Sequence, residues 1–277
     1  MESLTETEVR TMILERHAEQ SKKDFGRLLI VAGQTGMAGA AVLCGKAALR
    51  SGVGLATFYV PAHLFPILQT ALPEATCLER YEDAADRDGH LESCTAFAVG
   101  PGLGHHTDDL SVILAVLATG KPCVIDADGL NDIVRFGLHD TVAGAAGELV
   151  LTPHEGEAAR LLGIDRITDR TLAVRTLAER YRSTVILKGH HSLIAAPDGR
   201  IKVNPTGNAA MAKGGSGDVL TGMIGAFLAK GMPAYEAACA GAYLHGLAGD
   251  ICRAQFGDES VMARDLTDAI SAAFQRL

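Results

Sequence analysis

The chain has 277 residues, with 48% hydrophobic and 21% charged side chains, which excludes a disordered chain and supplies enough apolar material for a large α/β core. A formal net charge of −8 excludes a general basic footprint for nucleic acid or an anionic membrane, so any phosphate must be held by local geometry. The six cysteines (Cys44, Cys77, Cys94, Cys123, Cys239, Cys252) have no paired or metal-ligand spacing, and no apolar run approaches the roughly 18 residues of a membrane span, so a cytoplasmic protein with reduced thiols is expected.

Residues 5–20 have amphipathic spacing and predict a first helix, with Thr5 and Glu8 placed as a capping box. "RLLIVAG" (27–33) reads as a buried strand, and the small-residue segment 39–51 as the helix after it. The strand "GLATFYVP" (54–61) is followed by a less regular stretch. Then come the strand in "TAFAVGPGLG" (95–104), a helix near 107–118 and the strand of "KPCVIDADGLN" (121–131). "ELVLTPHEGEAARLLG" (148–163) is another strand and helix, and a helix over 168–182 leads into "STVILKGHH" (183–191). Such alternation predicts a mainly parallel sheet with helices on both faces. "SLIAAPDGRIKVNP" breaks it: apolar runs flank Pro197-Asp198-Gly199, a turn signal, so a β-hairpin is expected near 192–203. Three helices close the chain, at about 216–230, 233–256 and 263–276. No linker or repeat divides residues 1–277, which read as a single domain.

Several strands end in glycine or polar clusters: "AGQTGMAG" (32–39), "GPGLGHH" (100–106), "DADGLN" (126–131), "TPHEGE" (152–157) and "KGHHS" (188–192). In an open α/β sheet these ends share one edge, where ligands bind. The glycines of "GQTGMAG" do not make a dinucleotide fingerprint, and "AAVLCGKA" around Lys46 lacks the first glycine and the Ser/Thr of a P-loop. "KGGSGDVLTGMIGAFL" is more specific. Apolar residues recur at helical spacing from Val219, so a helix starts near Ser216, with Gly214, Gly215 and Gly217 around its N-terminus. Without side chains there, backbone amides can face an anion closely and the helix dipole adds to the attraction; residues 214–217 therefore read as an anion hole. Asp218 then has two readings: a first-turn acid that complements the dipole, or a general base beside a bound phosphate.

Glycines, a small polar residue, glycine and aspartate at a helix start resemble the signature of the ribokinase-like superfamily. In order along the chain, "GMAGAAVLCGKAALRSGVGLAT", "VGPGLG", "VIDADGLN", "LTPHEGEAARLLG", "ILKGHHSLIAAPDG" and "TGNAAMAKGGSGDVLTGMIGAFLAKG" look like the ADP- or ATP-dependent (S)-NAD(P)H-hydrate dehydratases. The resemblance implies a three-layer sandwich and repair of damaged nicotinamide cofactor. ADP would phosphorylate the C6 hydroxyl of the hydrate, and elimination would follow, leaving NAD(P)H, AMP and phosphate. It makes Asp218 the base and puts Gly217 against the nucleotide phosphates. Lys188, Gly189, His190, His191 and Ser192 match the AMP-contacting segment, and Ala40, Gly102 and His154 match positions lining the hydrate pocket. Glu157 occupies the place of an acidic residue that helps Mg²⁺ indirectly, through water. The resemblance further implies a homotetramer, a preference for ADP over ATP, and a separate epimerase, since the first 25 residues are too few for the fused N-terminal domain of many relatives.

Two departures stand out. Glu155 replaces the common proline of "TPHPGE", and two histidines occupy "KGHHS", where they either touch nucleotide or face solvent. His154 has a helix-cap reading as well, and Asp126, Asp128 and Asn131 either orient substrate or cap the helix that follows. The competing function is a vitamin-precursor kinase of the same superfamily, acting on hydroxyethylthiazole or hydroxymethylpyrimidine.

Overall fold

The computed structural model describes residues 1–80, 83–104 and 109–277. Among these residues, ten strands form one sheet. In chain order the elements are β1 (Glu2–Ser3), α1 (Glu6–Met12), β2 (Arg27–Val31), α2 (Ala38–Arg50), β3 (Leu55–Val60), α3 (Phe65–Ala71), β4 (Thr76–Glu79), α4 (Ala84–Ser93), β5 (Ala96–Val99), α5 (Asp109–Ala118), β6 (Cys123–Ile125), α6 (Asp128–Arg135) and α7 (His139–Ala143). They continue as β7 (Leu149–Leu151), α8 (Glu155–Leu162), α9 (Arg170–Tyr181), β8 (Thr184–Leu187), β9 (Leu193–Ala195), β10 (Ile201–Val203), α10 (Ser216–Ala229), α11 (Ala234–Ser260) and α12 (Ala263–Arg276).

The strand order is β1-β10-β9-β8-β7-β6-β5-β2-β3-β4. Pairing is parallel from β8 to β4, and antiparallel only where β9 meets β8 and β10. Ile201 opposite Ala195 makes the expected hairpin, turning at residues 197–199. Because strand side chains alternate, Leu28 and Ile30 of β2 pack with α2, α10, α11 and α12, while Leu29 and Val31 pack with α5, α6, α8 and α9. Two apolar cores thus flank the sheet, giving three layers. The cysteines are all free, and Cys77 alone is more than slightly exposed.

The differences from the sequence expectation have local causes. The first helix ends at Met12 rather than near 20: Val9 is its only buried residue, Ile13 is extended, and residues 14–24 are exposed. The less regular stretch contains α3, β4 and α4, and β1 adds a two-residue strand at the hairpin edge. The helix expected from 107 is seen from Asp109; residues 107 and 108 lie outside the described residues. The next-to-last helix breaks at Gly257 (φ 77°, ψ −177°), next to its expected end at 256, and a further helical turn continues to Ser260.

Candidate active site

The strand order reverses between β2 and β5, and the two strand ends meet there: the Gly33 amide donates to the Pro101 carbonyl at 2.8 Å. Gly102 has φ +57°, and a Cβ on it would lie 2.9 Å from the Ala40 Cβ and 3.0 Å from that of Met37. Ala40, on the first turn of α2, and Gly102 therefore face each other at the switch point, where an open sheet offers a crevice. His105 and His106, at the end of the same cluster, lie outside the described residues.

The helix of the glycine-rich motif starts at Ser216, as its periodicity predicts. Gly215 is its N-cap with φ +96°, and a Cβ would stand 2.6 Å from Leu43 Cδ1 and 2.9 Å from the Ala263 Cβ. Only glycine satisfies both the backbone and the space. The Ser216 amide donates to the Lys213 carbonyl at 3.3 Å and its hydroxyl to Met211 O at 2.7 Å, so Ser216 locks the turn. Gly217 and Asp218 then supply helix-start amides with no carbonyl four residues back to accept from them.

Behind that turn lies a buried polar chain. Asp126 is 1% exposed; its Oδ1 accepts from Lys188 Nζ at 2.6 Å and its Oδ2 from Thr221 Oγ1 at 2.8 Å. A Cβ on Gly217 would lie 3.3 Å from both Asp126 Oδ2 and Lys188 Nζ, which puts the motif directly against this pair. Lys188 also stands 3.8 Å from Glu157 Oε2. Burial pushes the Asp126 carboxyl up, but the Lys188 ammonium and hydrogen bonds from Lys188, Thr221 and Thr152 hold it below its ordinary value. Lys188 is raised in turn: Asp126 and Glu157 outweigh the cost of burying its charge. Asp218 differs from both. Burial and the Asp126 charge push it up to about 7, Lys188 opposes, and Asp128 adds to the rise.

The sequence alternatives resolve individually. Asp126 turns into the site, helped by Ala127 at φ 50°. Asp128 accepts from the Gly104 amide at 2.9 Å, and Asn131 accepts from Arg160 at 3.0 and 3.2 Å, so the first ties the loop after β5 to α6 and the second ties α6 to α8. His154 is the N-cap of α8: its Nδ1 accepts from the Gly156 and Glu157 amides at 3.0 and 3.2 Å, and Glu157 Oε2 accepts from the His154 amide at 2.8 Å. Thr221, missed in the sequence, had a visible signal: a hydroxyl one helical turn after Gly217 on a helix whose residues are otherwise apolar there.

A cavity of about 490 Å³ opens beside Gly217, lined by residues 188–192 and, across from them, by Asn204, Met211, Ala242 and His245. His190 and His191 are exposed, with ring centroids 3.9 Å apart, and both also line this cavity. Glu157 is 5% exposed and already used: Oε2 by the His154 amide, Oε1 facing His154 Nε2 at 3.4 Å. With its oxygens so engaged, Glu157 fits a cation reached through water better than one bound directly. Among the described residues no group of three or more His, Cys, Asp or Glu side chains is arranged to hold a metal ion.

A family model described as NAD(P)H-hydrate dehydratase matches residues 28–272. An ADP-dependent (S)-NAD(P)H-hydrate dehydratase from Neisseria meningitidis is 41% identical over 88% of this chain and 83% of its own. A bifunctional NAD(P)H-hydrate repair enzyme from Moorella thermoacetica is 38% identical over 99% of this chain, which spans only 54% of that longer protein. Among solved structures, an ADP/ATP-dependent NAD(P)H-hydrate dehydratase from Bacillus subtilis, co-crystallised with ATP and Mg²⁺, superposes with a TM-score of 0.89 at 31% identity, covering 99% of this chain and 98% of the other.

Proposed function

The chain belongs to the NAD(P)H-hydrate dehydratase family, and on that premise we propose that it uses ADP to dehydrate the S form of hydrated NADH or NADPH, working as a single ribokinase-like unit. The observation that carries the reading is Asp218: a carboxyl held near pKa 7 at a glycine-built helix start, with the Lys188 ammonium behind Gly217. A base poised there takes the proton from the C6 hydroxyl as its oxygen attacks the terminal phosphorus of ADP, and AMP leaves. The helix-start amides of Gly217 and Asp218 and the Lys188 charge meet the negative charge that builds on the transferring group. The ring nitrogen's electron pair then expels phosphate from C6 as C5 gives up its proton, restoring the ring double bond. The net change is loss of water from the hydrate and its addition across the phosphoanhydride.

The hydrate lies by Ala40 and Gly102 at the switch point, with His154 at the rim, and the nucleotide occupies the cavity along residues 188–192. A Mg²⁺ ion at Glu157, reached through water, would neutralise phosphate charge. Support for the nucleotide and metal comes from the Bacillus subtilis relative crystallised with both. Assembly as a tetramer and residence in the cytoplasm complete the reading. Among the described residues no helix is long and apolar enough to cross a membrane, and light scattering tests the assembly.

Incubation with ADP and hydrated NADH, followed at 340 nm, should restore NADH absorbance and release AMP and phosphate in equal amounts. Asp218→Asn should lower turnover about 100-fold or more while ADP still binds. Phosphoryl transfer to a thiazole or pyrimidine alcohol, without NADH recovery, would replace this reading with the vitamin-precursor kinase.

A further inference from the structure

The turn at residues 188–192 has an unusual backbone. Gly189 has φ +144° and His191 φ +52°, a left-handed conformation uncommon outside glycine, asparagine and aspartate. Such a conformation persists where neighbours over-determine it, and one side chain does so here. Arg170, the first residue of α9, donates from Nη1 to the His190 carbonyl at 2.7 Å and to the His191 carbonyl at 3.5 Å, and from Nη2 to the Leu187 carbonyl at 3.4 Å. A Cβ on Gly189 would come within 3.0 Å of that Nη2, so glycine there lets the guanidinium approach.

The two sides of this turn are distinct. α9 packs on the sheet face of Val185, Leu187 and Leu193, whereas Met211, Leu220 and Ala242, which border the cavity, pack with the opposite face. In a trans peptide the carbonyl and the following amide point in opposite directions. Fixing the His190 carbonyl on Arg170 therefore turns the His191 amide away from α9, toward the side on which the cavity lies. The guanidinium also stands 3.2 Å from Glu155, the residue that replaces proline in "TPHEGE". Glu155 begins α8, next to His154, so the same arginine links the 188–192 turn to the loop that carries His154.

We propose that Arg170 is a positioning residue for nucleotide: it holds the backbone of the 188–192 turn so that its amide side faces the cavity, and Glu155 anchors the arginine. The proposal rests on the nucleotide site assigned above. A planar fork bonding three carbonyls is a task that lysine, a single point donor, performs poorly.

Titration calorimetry of the full chain with ADP, and separately with AMP, tests it without relying on turnover. Arg170→Ala should weaken both ligands about tenfold or more, Arg170→Lys should recover part of the loss, and Glu155→Gln should lose less than Arg170→Ala. In the 340 nm assay the same variants should raise KM for ADP while KM for the hydrate and kcat at saturating ADP stay close to wild type. ADP and AMP affinities unchanged in both arginine variants would overturn the proposal, as would losses that track melting temperature and affect both substrates equally. Wild-type protein that binds neither ADP nor AMP would overturn the nucleotide site itself.

Discussion

Asp218 shows how environment separates the roles of two buried carboxyls. Asp126 has a cation at 2.6 Å and stays ionised; Asp218 has burial and the Asp126 charge against it and is pushed up to about 7. The catalytic consequence, read from a pH–rate profile, is that kcat/KM should rise as pH increases through about 7, as the base loses its proton. The stability consequence has the opposite sign. A carboxyl whose folded pKa is raised favours the fold below its ordinary value of 3.8, and that contribution is lost as pH rises through about 7. Asp218→Asn should therefore raise the melting temperature at pH 8 by a few degrees while it cuts turnover, and leave it nearly unchanged at pH 4; thermal scans at both pH values check this. Asp218 was legible in the sequence because its helix start is built from contiguous residues. Its electrostatic setting was not: Lys188 and Asp126 stand out singly in the sequence, but they pair across 62 positions, and Thr221 joins Asp126 across 95.

Among the elements, α10 carries the most chemistry and is the most tightly held. Every residue from Val219 to Ala229 is buried, so the helix has no polar face, and its approach to α2 is set by Gly222. A Cβ there would collide with the Cys44 carbonyl oxygen, a backbone atom that cannot rotate away. Gly222→Ala should therefore cost about 3 kcal/mol, measured by urea unfolding, even though alanine is the better helix former. Its effect on ADP affinity per unit of stability lost should be smaller than that of Gly215→Ala, which forces an L side chain to φ +96° at the helix start itself. Helices with a continuous apolar pattern and a glycine or proline boundary were readable to within a residue or two. The overlong first helix was not, because the amphipathic spacing persists after Met12 although Ile13 is already extended at ψ 123°. A short piece such as β1 owes its existence to a strand partner far along the chain, which no local pattern announces.

At the scale of the molecule, one sheet brings both proposed pockets to the same edge: the switch point of β2 and β5 for the hydrate, and the end of β8 with its hairpin for the nucleotide, Asp218 standing near Asp126 between them. The hairpin belongs to the nucleotide side, since the Asn204 amide after β10 donates to the Ser192 carbonyl at 2.9 Å. Its outer edge is covered by the start of the chain. Leu4 donates to the Val203 carbonyl at 2.8 Å, Leu4 and Val9 are buried against the core, and Lys202 pairs with Glu2 at 2.8 Å and Glu8 at 2.9 Å. Hydrogen bonds and charge from Lys202, with bonds from Thr5, hold Glu8 down to about 2, so its contribution is complete above 4.5 and is lost only as pH falls toward 2. These are exposed charges of small worth, and the apolar contacts and the strand pairing matter more. Deleting residues 1–13 should leave an open strand edge that promotes self-association, and should weaken ADP binding more than hydrate binding, because the hairpin that loosens is tied to Ser192 and not to Ala40 or Gly102. Light scattering reads the first effect and calorimetry with ADP the second. A truncated chain that stays as dispersed as the full one and binds ADP equally well would show that the N-terminal strand supports neither.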